Sequence, residues 1–456
     1  MTRICRPNEN STGRLALWLG ACLIAAIACS ETPDTDVPTA APDPALLDHA
    51  GPPSLSCAVT RGAQELQAPG MVHTGHAVTA TPTGFLLSQC AVAWKANTGV
   101  HGVSIVPAAA DGTLGVPVGV TVDKNDQAAD CIATASGEGA GVAWRQEASS
   151  SNSSTIHVGS VDATGSWTVG PSPVASIDPI PSGAGGLHQV VANGADLAVL
   201  WSDGAGLWLG EFAASGAQKG NPILLTSLAV QDARVVRTDS GWIASWGQPG
   251  ADDSSDVFSI HVAGTDTPPQ APVRISRPSS ATRQTRNGDL IHHHGTTLAA
   301  MEEWVTRGDV TWTGRPGGTW ATPPNGSRES VVRLVALDKD GAPIGPSRPV
   351  QVAVPHVENV QPVLHAMGDD VALVWSTGSV IYRCGGCISN NDLRLVVLRR
   401  GDLAPLSPVA EVPRVGENGL KRPHFAFHGD VSLLAFSVDY HATSRVGTAV
   451  VACVAK

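Results

Sequence analysis

Residues 190–201 read VVANGADLAVLW: an apolar run, a turn built on Asn193 and Gly194, and a second apolar run ending in Trp201. Asn-Gly between apolar stretches is a strong short-range signal for a β-hairpin. The same phrase returns along the chain. GFLLSQCAVAW ends at Trp94, CIATASGEGAGVAW at Trp144, VVRTDSGWIASW at Trp246, HHHGTTLAAMEEW at Trp304 and VLHAMGDDVALVW at Trp375. In FAFHGDVSLLAF, Phe436 takes the tryptophan position. From Trp94 onward the copies lie 50, 57, 45, 58, 71 and 61 residues apart.

A second strand pair follows most copies, joined by a small Gly turn, as in VSIVPAAADGTLGVPVGV and VVRLVALDKDGAPIG. Each unit therefore reads as four short strands, A to D, with turn chemistry between them. Seven such units resemble the blade array of a β-propeller. The expectation is an all-β fold, a seven-bladed β-propeller of four-stranded blades. Six to eight blades are compatible with the pattern, because the 71-residue spacing has room for extra strands. The tryptophan closing each strand B is expected to fill the space between neighbouring blades, burying about 150–250 Å² each. Composition agrees: Gly 49 and Pro 33 in 456 residues leave little room for long helices, and a 42% hydrophobic share excludes wholesale disorder.

The seventh unit reaches its third strand, GTAVVACVAK, and the chain stops. The segment SLSCAVT around Cys57 is the natural supplier of the missing strand, so the ring is expected to close on an N-terminal strand. That closure predicts a Cys57–Cys453 disulfide. Cys90–Cys131 is expected to join blades one and two, and Cys384–Cys387 to form a local bridge, as an even cysteine count in an exported chain suggests.

Export itself is read from residues 1–28. Arg3, Arg6 and Arg14 precede the apolar run Leu15–Ala28, which is too short to span a bilayer. The ending Ala26-Ile27-Ala28-Cys29 resembles a bacterial lipobox, with Cys22 as the other candidate. The resemblance implies a signal peptide over 1–28, lipidation of Cys29, and a lipoprotein on the outer membrane facing periplasm or exterior, since Ser30 replaces the Asp that marks inner-membrane retention. Residues 29–55 then read as a Pro- and acid-rich tether, and 56–456 as the propeller domain. With net charge −11, the chain has no general attraction for nucleic acid or anionic lipid, so membrane association is expected through the lipid alone.

Catalytic signatures are absent. There is no Gly-x-Ser-x-Gly elbow, no His-Glu-x-x-His, no phosphate-binding loop and no complete calcium loop. Asp338-Lys339-Asp340-Gly341 starts like a calcium loop but falls on a C–D turn. Residues 160–167, close to the Asp-box of sialidase-like propellers, read the same way. His292, His294, His365 and His428 lie at odd offsets from the A–B turn glycines in blades five to seven, as does His424. A period-two strand puts them on equivalent faces, where they are candidate metal ligands. No other cofactor is implied.

In a propeller the B–C and D–A connections share one face. The long insertions, 146–154, 248–256, 305–330, 377–392, 175–187 and 277–290, are all assigned to that face, and the A–B and C–D turns read as uniformly short. Loop-rich faces of rigid scaffolds are where binding usually resides. The longest insertion carries Trp312, Trp320 and Arg315, residue types enriched at binding hot spots. The expected function is a lipid-anchored cell-envelope propeller binding a protein or glycan there. A hydrolase or lyase acting on polysaccharide, with carboxylates round the channel, and a structural subunit of an envelope assembly are the alternatives.

Overall fold

The computed structural model describes residues 45–49, 53–66, 71–93, 102–121, 126–148, 153–177, 185–250, 255–264, 269–280, 282–307, 327–354, 357–379, 391–414, 419–440 and 443–456. They form seven four-stranded antiparallel sheets, each with its strands in the order A-B-C-D. The chain is a seven-bladed β-propeller, as the repeat predicts. Blades one to six take strands from 71–121, 126–177, 186–226, 231–274, 283–349 and 357–412. Blade seven combines Leu420–His428, Val431–Tyr440 and Thr443–Ala455 with the N-terminal strand Leu55–Glu65. Cys57 pairs directly with Cys453 across that junction, and the two are disulfide-bonded. Cys90–Cys131 links blades one and two.

Seven apolar clusters hold the ring, each built from two adjacent blades. Trp144, Trp201, Trp246, Trp304, Trp375 and Phe436 are all buried. Trp246 packs against Ala198, Leu200 and Leu209 of the preceding blade, and Trp375 against Leu298, Ala300 and Val332. Trp144, Trp201, Trp246, Trp375 and Phe436 are thus wedges between blades, each contributing large apolar burial at its seam, whereas Trp304 lines the central cavity instead. Trp94 lies outside the described residues.

The A–B connections are two-residue turns throughout, at 82–83, 137–138, 194–195, 239–240, 294–295, 368–369 and 429–430. Gly194, with φ 65°, takes the left-handed conformation that the Asn-Gly signal implies. The C–D connections are longer than their sequence suggests, reaching 399–409 in blade six. An Asp folds several of them. Asp162 Oδ1 accepts from the amides of Thr164 and Ser166 at 2.8 and 3.0 Å, and Asp338 Oδ1 from those of Asp340 and Ala342, both at 2.9 Å. These carboxylates are turn caps, which accounts for the calcium-like and Asp-box-like spellings. Bonding from Thr164 holds the Asp162 carboxyl below the usual carboxylate range.

The segment read as tether is folded at its end. Leu46–His49 form a 3₁₀ turn whose Leu46 is buried against blades five and six, and Leu47 N donates to Val350 O at 3.0 Å. Strand boundaries also differ from expectation. In blade five the inner strand begins at Arg283, inside the stretch 277–290 read as a loop. The cause is an interruption in the strand pattern that recurs in every blade.

Candidate functional site

Each blade contributes its strand A to the central channel: Met71–Thr81, Asp126–Ser136, Gly186–Asn193, Gln231–Thr238, Arg283–His293, Val357–Met367 and Leu420–His428. Every one of these strands slips register against strand B once. The slips fall between His73 and Gly75, Ala129 and Ile132, Leu187 and Gln189, Gln231 and Arg234, Asn287 and Asp289, Val360 and Val363, and Lys421 and His424. Counted back from the A–B turn, all seven β-bulges sit six to eight residues away, so they form a ring at one level. A bulge inserts one extra residue, re-aims the side chains around it and breaks the alternation.

Four of the bulges place a non-glycine residue in the left-handed region: Asp130 at φ 54°, Asp232 at 47°, Gln361 at 55° and Arg422 at 50°. Such backbone costs about 1–3 kcal/mol per residue. Gly288 occupies the same level in blade five, where a Cβ would lie 2.5 Å from Pro362 Cγ of blade six. Bonds to the neighbouring blade offset the strain. Asn287 Nδ2 donates to Asp232 O at 2.6 Å, Gln361 N to Glu302 Oε2 at 3.1 Å, and Arg422 N to Gln361 Oε1 at 2.7 Å. His76 Nε2 lies 2.9 Å from Arg422 O, and Val235 N donates to Gln189 Oε1 at 2.6 Å. Peptide groups released from the ladder are therefore satisfied around the ring rather than left orphaned.

The channel holds a cavity of about 1160 Å³. Six cationic side chains line it, Arg145, Arg234, Arg237, Arg286, Lys421 and Arg422, with five carboxylates, Asp130, Asp232, Asp289, Glu302 and Glu358. Arg145 Nε contacts Asp130 Oδ2 at 2.7 Å, and Arg234 Nε lies 3.6 Å from Asp289 Oδ1. Burial pushes the Asp289 and Glu302 carboxyls up, with Arg234 and Arg286 respectively opposing. His188 is driven down to about 3 by burial, then by Arg234 and Arg145. His424 falls well below its ordinary value through burial, His76, Arg234 and Arg422. Both imidazoles are neutral at pH 7.

The histidines proposed as metal ligands separate into two groups. His292 and His365 line the cavity, with His424, whereas His294 and His428 do not. His292 Nδ1 is 2.9 Å from Thr297 Oγ1, and His365 packs on Phe425 and Phe427 with centroids 5.5 and 6.2 Å away. His294 belongs to the A–B turn, 3.2 Å from Asp369, and His428 Nδ1 reaches Thr81 O of blade one at 3.1 Å. Among the described residues, no group of three His, Cys, Asp or Glu is placed to hold a metal ion. Trp312, Trp320, Arg315, Cys29, Cys384 and Cys387 lie outside the described residues. The bulge residues Asp130, Asp232, Gln361 and Arg422, and their neighbour Arg234, were not picked out by sequence reasoning. The signal for the four bulge residues is a polar residue seven places ahead of the A–B turn, visible once the repeats are stacked.

No known protein-family profile matches the sequence, and no curated protein matches it. Among solved structures, a protein of unknown function from Dyadobacter fermentans is similar with TM-score 0.50 and 8% identity, over 87% of this chain and 99% of that one. The β-propeller domain of the trilobed protease from Pyrococcus furiosus aligns at TM-score 0.42 and 8% identity, over 84% and 94%. A thermostable family-43 glycoside hydrolase aligns at TM-score 0.34 and 8% identity, over 57% and 86%. At such identities the likeness is one of fold alone.

Proposed function

We propose that this is a bacterial cell-envelope lipoprotein, held on the outer membrane through Cys29, that binds a glycan or protein at the face carrying the B–C and D–A loops. The observation that carries the reading is the position of the bulge ring. Strand A starts at the D–A loop, and the bulges lie well ahead of its A–B turn, toward that same end. The bulges bring Asp130, His188, Asp232, Gln361 and Arg422 to the lining of a cavity whose size suits a ligand rather than a water file. The loop insertion with Trp312, Trp320 and Arg315 would extend the contact surface beyond the mouth.

A hydrolase or lyase acting on polysaccharide is the second reading. It draws support from Asp289 and Glu302, whose raised carboxyls have the character of proton donors. Both already accept backbone amides, from Leu364 at 2.8 Å and Gln361 at 3.1 Å, so binding is the better account.

The test pairs two variants in the native host. Cys29→Ala should leave the membrane fraction or fail to mature. Trp312→Ala/Trp320→Ala should lose retention on cell-envelope glycan and protein preparations while melting within a degree or two of wild type. Unchanged retention by the double variant would reject the loop face as the binding surface.

A further inference from the structure

The channel concentrates positive charge in a chain of net charge −11. Its six cations exceed its five carboxylates, and several of those carboxylates are committed to the scaffold. Asp130 is held by Arg145 at 2.7 Å, Asp289 accepts Leu364 N at 2.8 Å, and Glu302 accepts Gln361 N and the Trp304 indole N–H. Two guanidiniums are left under-neutralised. Arg234, next to the bulge of blade four, has one ion pair at 3.6 Å and one bond to the adjacent Ala233 carbonyl. Arg422, on the bulge of blade seven, has its peptide fixed on both sides by Gln361 and His76, and its exposed guanidinium has no partner among the described residues.

These two cations come from blades four and seven and line the same cavity. An anion set between Arg234 and Arg422 would relieve their mutual repulsion and accept their planar forks. The surplus is a single positive charge, so a singly charged group fits, and a dianion would meet the surrounding carboxylates. Asp232, exposed and strained on the lining of the same cavity, has a carboxylate with no partner among the described residues, and is suited to accept hydroxyl donors.

We propose that Arg234 and Arg422 clamp the carboxylate of a hexuronate unit in a glycan, with Asp232 accepting its hydroxyls. This rests on the glycan branch of the binding reading and names the sugar class it recognises. The charge balance favours a uronate over a phosphate monoester, because a uronate combines a single charge with a ring of hydroxyls whereas a phosphate monoester approaches two charges at pH 7.

Calorimetric titration of the full chain with trimers of galacturonate, glucuronate and mannuronate, their methyl esters, and inorganic phosphate tests it. At least one trimer should bind, and its ester should bind at least tenfold more weakly. Arg422→Gln should weaken the acid at least tenfold with an unchanged melting temperature, and leave the ester unaffected. Arg234→Gln should act alike, but its loss from Asp289 can disturb folding, so the exposed Arg422 carries the decision. Equal binding of acid and ester, effective competition by phosphate, or no binding of any trimer overturns the proposal. If the trimers fail while envelope retention remains sensitive to Trp312→Ala/Trp320→Ala, the loop-face reading survives and the uronate clamp alone is rejected.

Discussion

Cys57 stands directly opposite Cys453, on the strand that precedes blade one and the strand that ends blade seven, with Cα atoms 4.0 Å apart. The bond spans a sequence separation of 396 residues, so it joins the two ends of the ring. Cross-links over long separations remove the most freedom from the unfolded chain, though strain and residual structure limit the gain.

Replacing Cys57 and Cys453 together by Ser should therefore cost about 2–5 kcal/mol of stability. Blade seven should be the first region to open, seen as loss of amide protection in Leu55–Glu65 and Thr443–Ala455. Uniform destabilisation with no local opening would contradict a role in closure.

Asp232 holds a left-handed backbone at φ 47° while its side chain bonds nothing among the described residues. Asp232→Gly should therefore be neutral or raise stability by up to about 1 kcal/mol, despite the entropy that glycine adds to the unfolded chain. Asp232→Val should lower stability by about 1–3 kcal/mol. Chemical denaturation of both variants checks the pair. A destabilised glycine variant would show that the carboxylate is needed for folding.

His188 gives the channel an acid response. Its folded value is near 3 against 6.5 unfolded, so the unfolded chain binds more protons between those limits. Stability from this group is complete above pH 6.5 and declines as pH falls toward 3, by about 1.4 kcal/mol per unit. In His188→Gln the loss between pH 6.5 and 5 should shrink by about 2 kcal/mol at most. Urea midpoints at the two pH values measure it, and parallel pH profiles for variant and wild type would refute the assignment.

Blade five encloses a buried ion pair. Arg333 Nη1 lies 3.4 Å from Glu303 Oε1, and its Nε and Nη2 donate to Ser347 at 2.9 and 2.6 Å. Arg333→Met should cost about 3–5 kcal/mol by leaving the buried carboxylate with the more distant Arg283, 4.0 Å away, and adding Glu303→Met should recover much of it. A double variant as unstable as the single one would mean that the pair is not what the charge loss disturbs.

The sequence spells out the half of each blade that faces the A–B turn and hides the other half. Strand B, its closing aromatic and the two-residue turn keep an uninterrupted period of two, so Trp144, Trp246 and Trp375 are read correctly as wedges. Strand A loses that period at its bulge. Gly288 interrupts RQTRNGDLIHH, and the residues before it pass for loop although they form a strand. The same break defeats any attempt to place Arg234 or Asp232, because one inserted residue exchanges the two faces of the sheet. Histidine offsets counted from the turn put His292, His365 and His424 correctly on the channel wall, since no bulge intervenes between those positions and the turn. At the turn itself the count fails, and His294 and His428 leave the wall.

The closing strand also imposes an order in time. Leu55–Glu65 is made before any blade, and its partner Thr443–Ala455 is made after all of them. Until the last residues arrive, the first strand has an unmatched hydrogen-bonding edge, a template for mispairing. Ring closure therefore comes last in the order of synthesis, and it joins segments with a separation of 396 residues along the chain, where search is slow. A truncation that removes only the last dozen or so residues would leave every complete blade intact and still yield an open arc with two exposed seams.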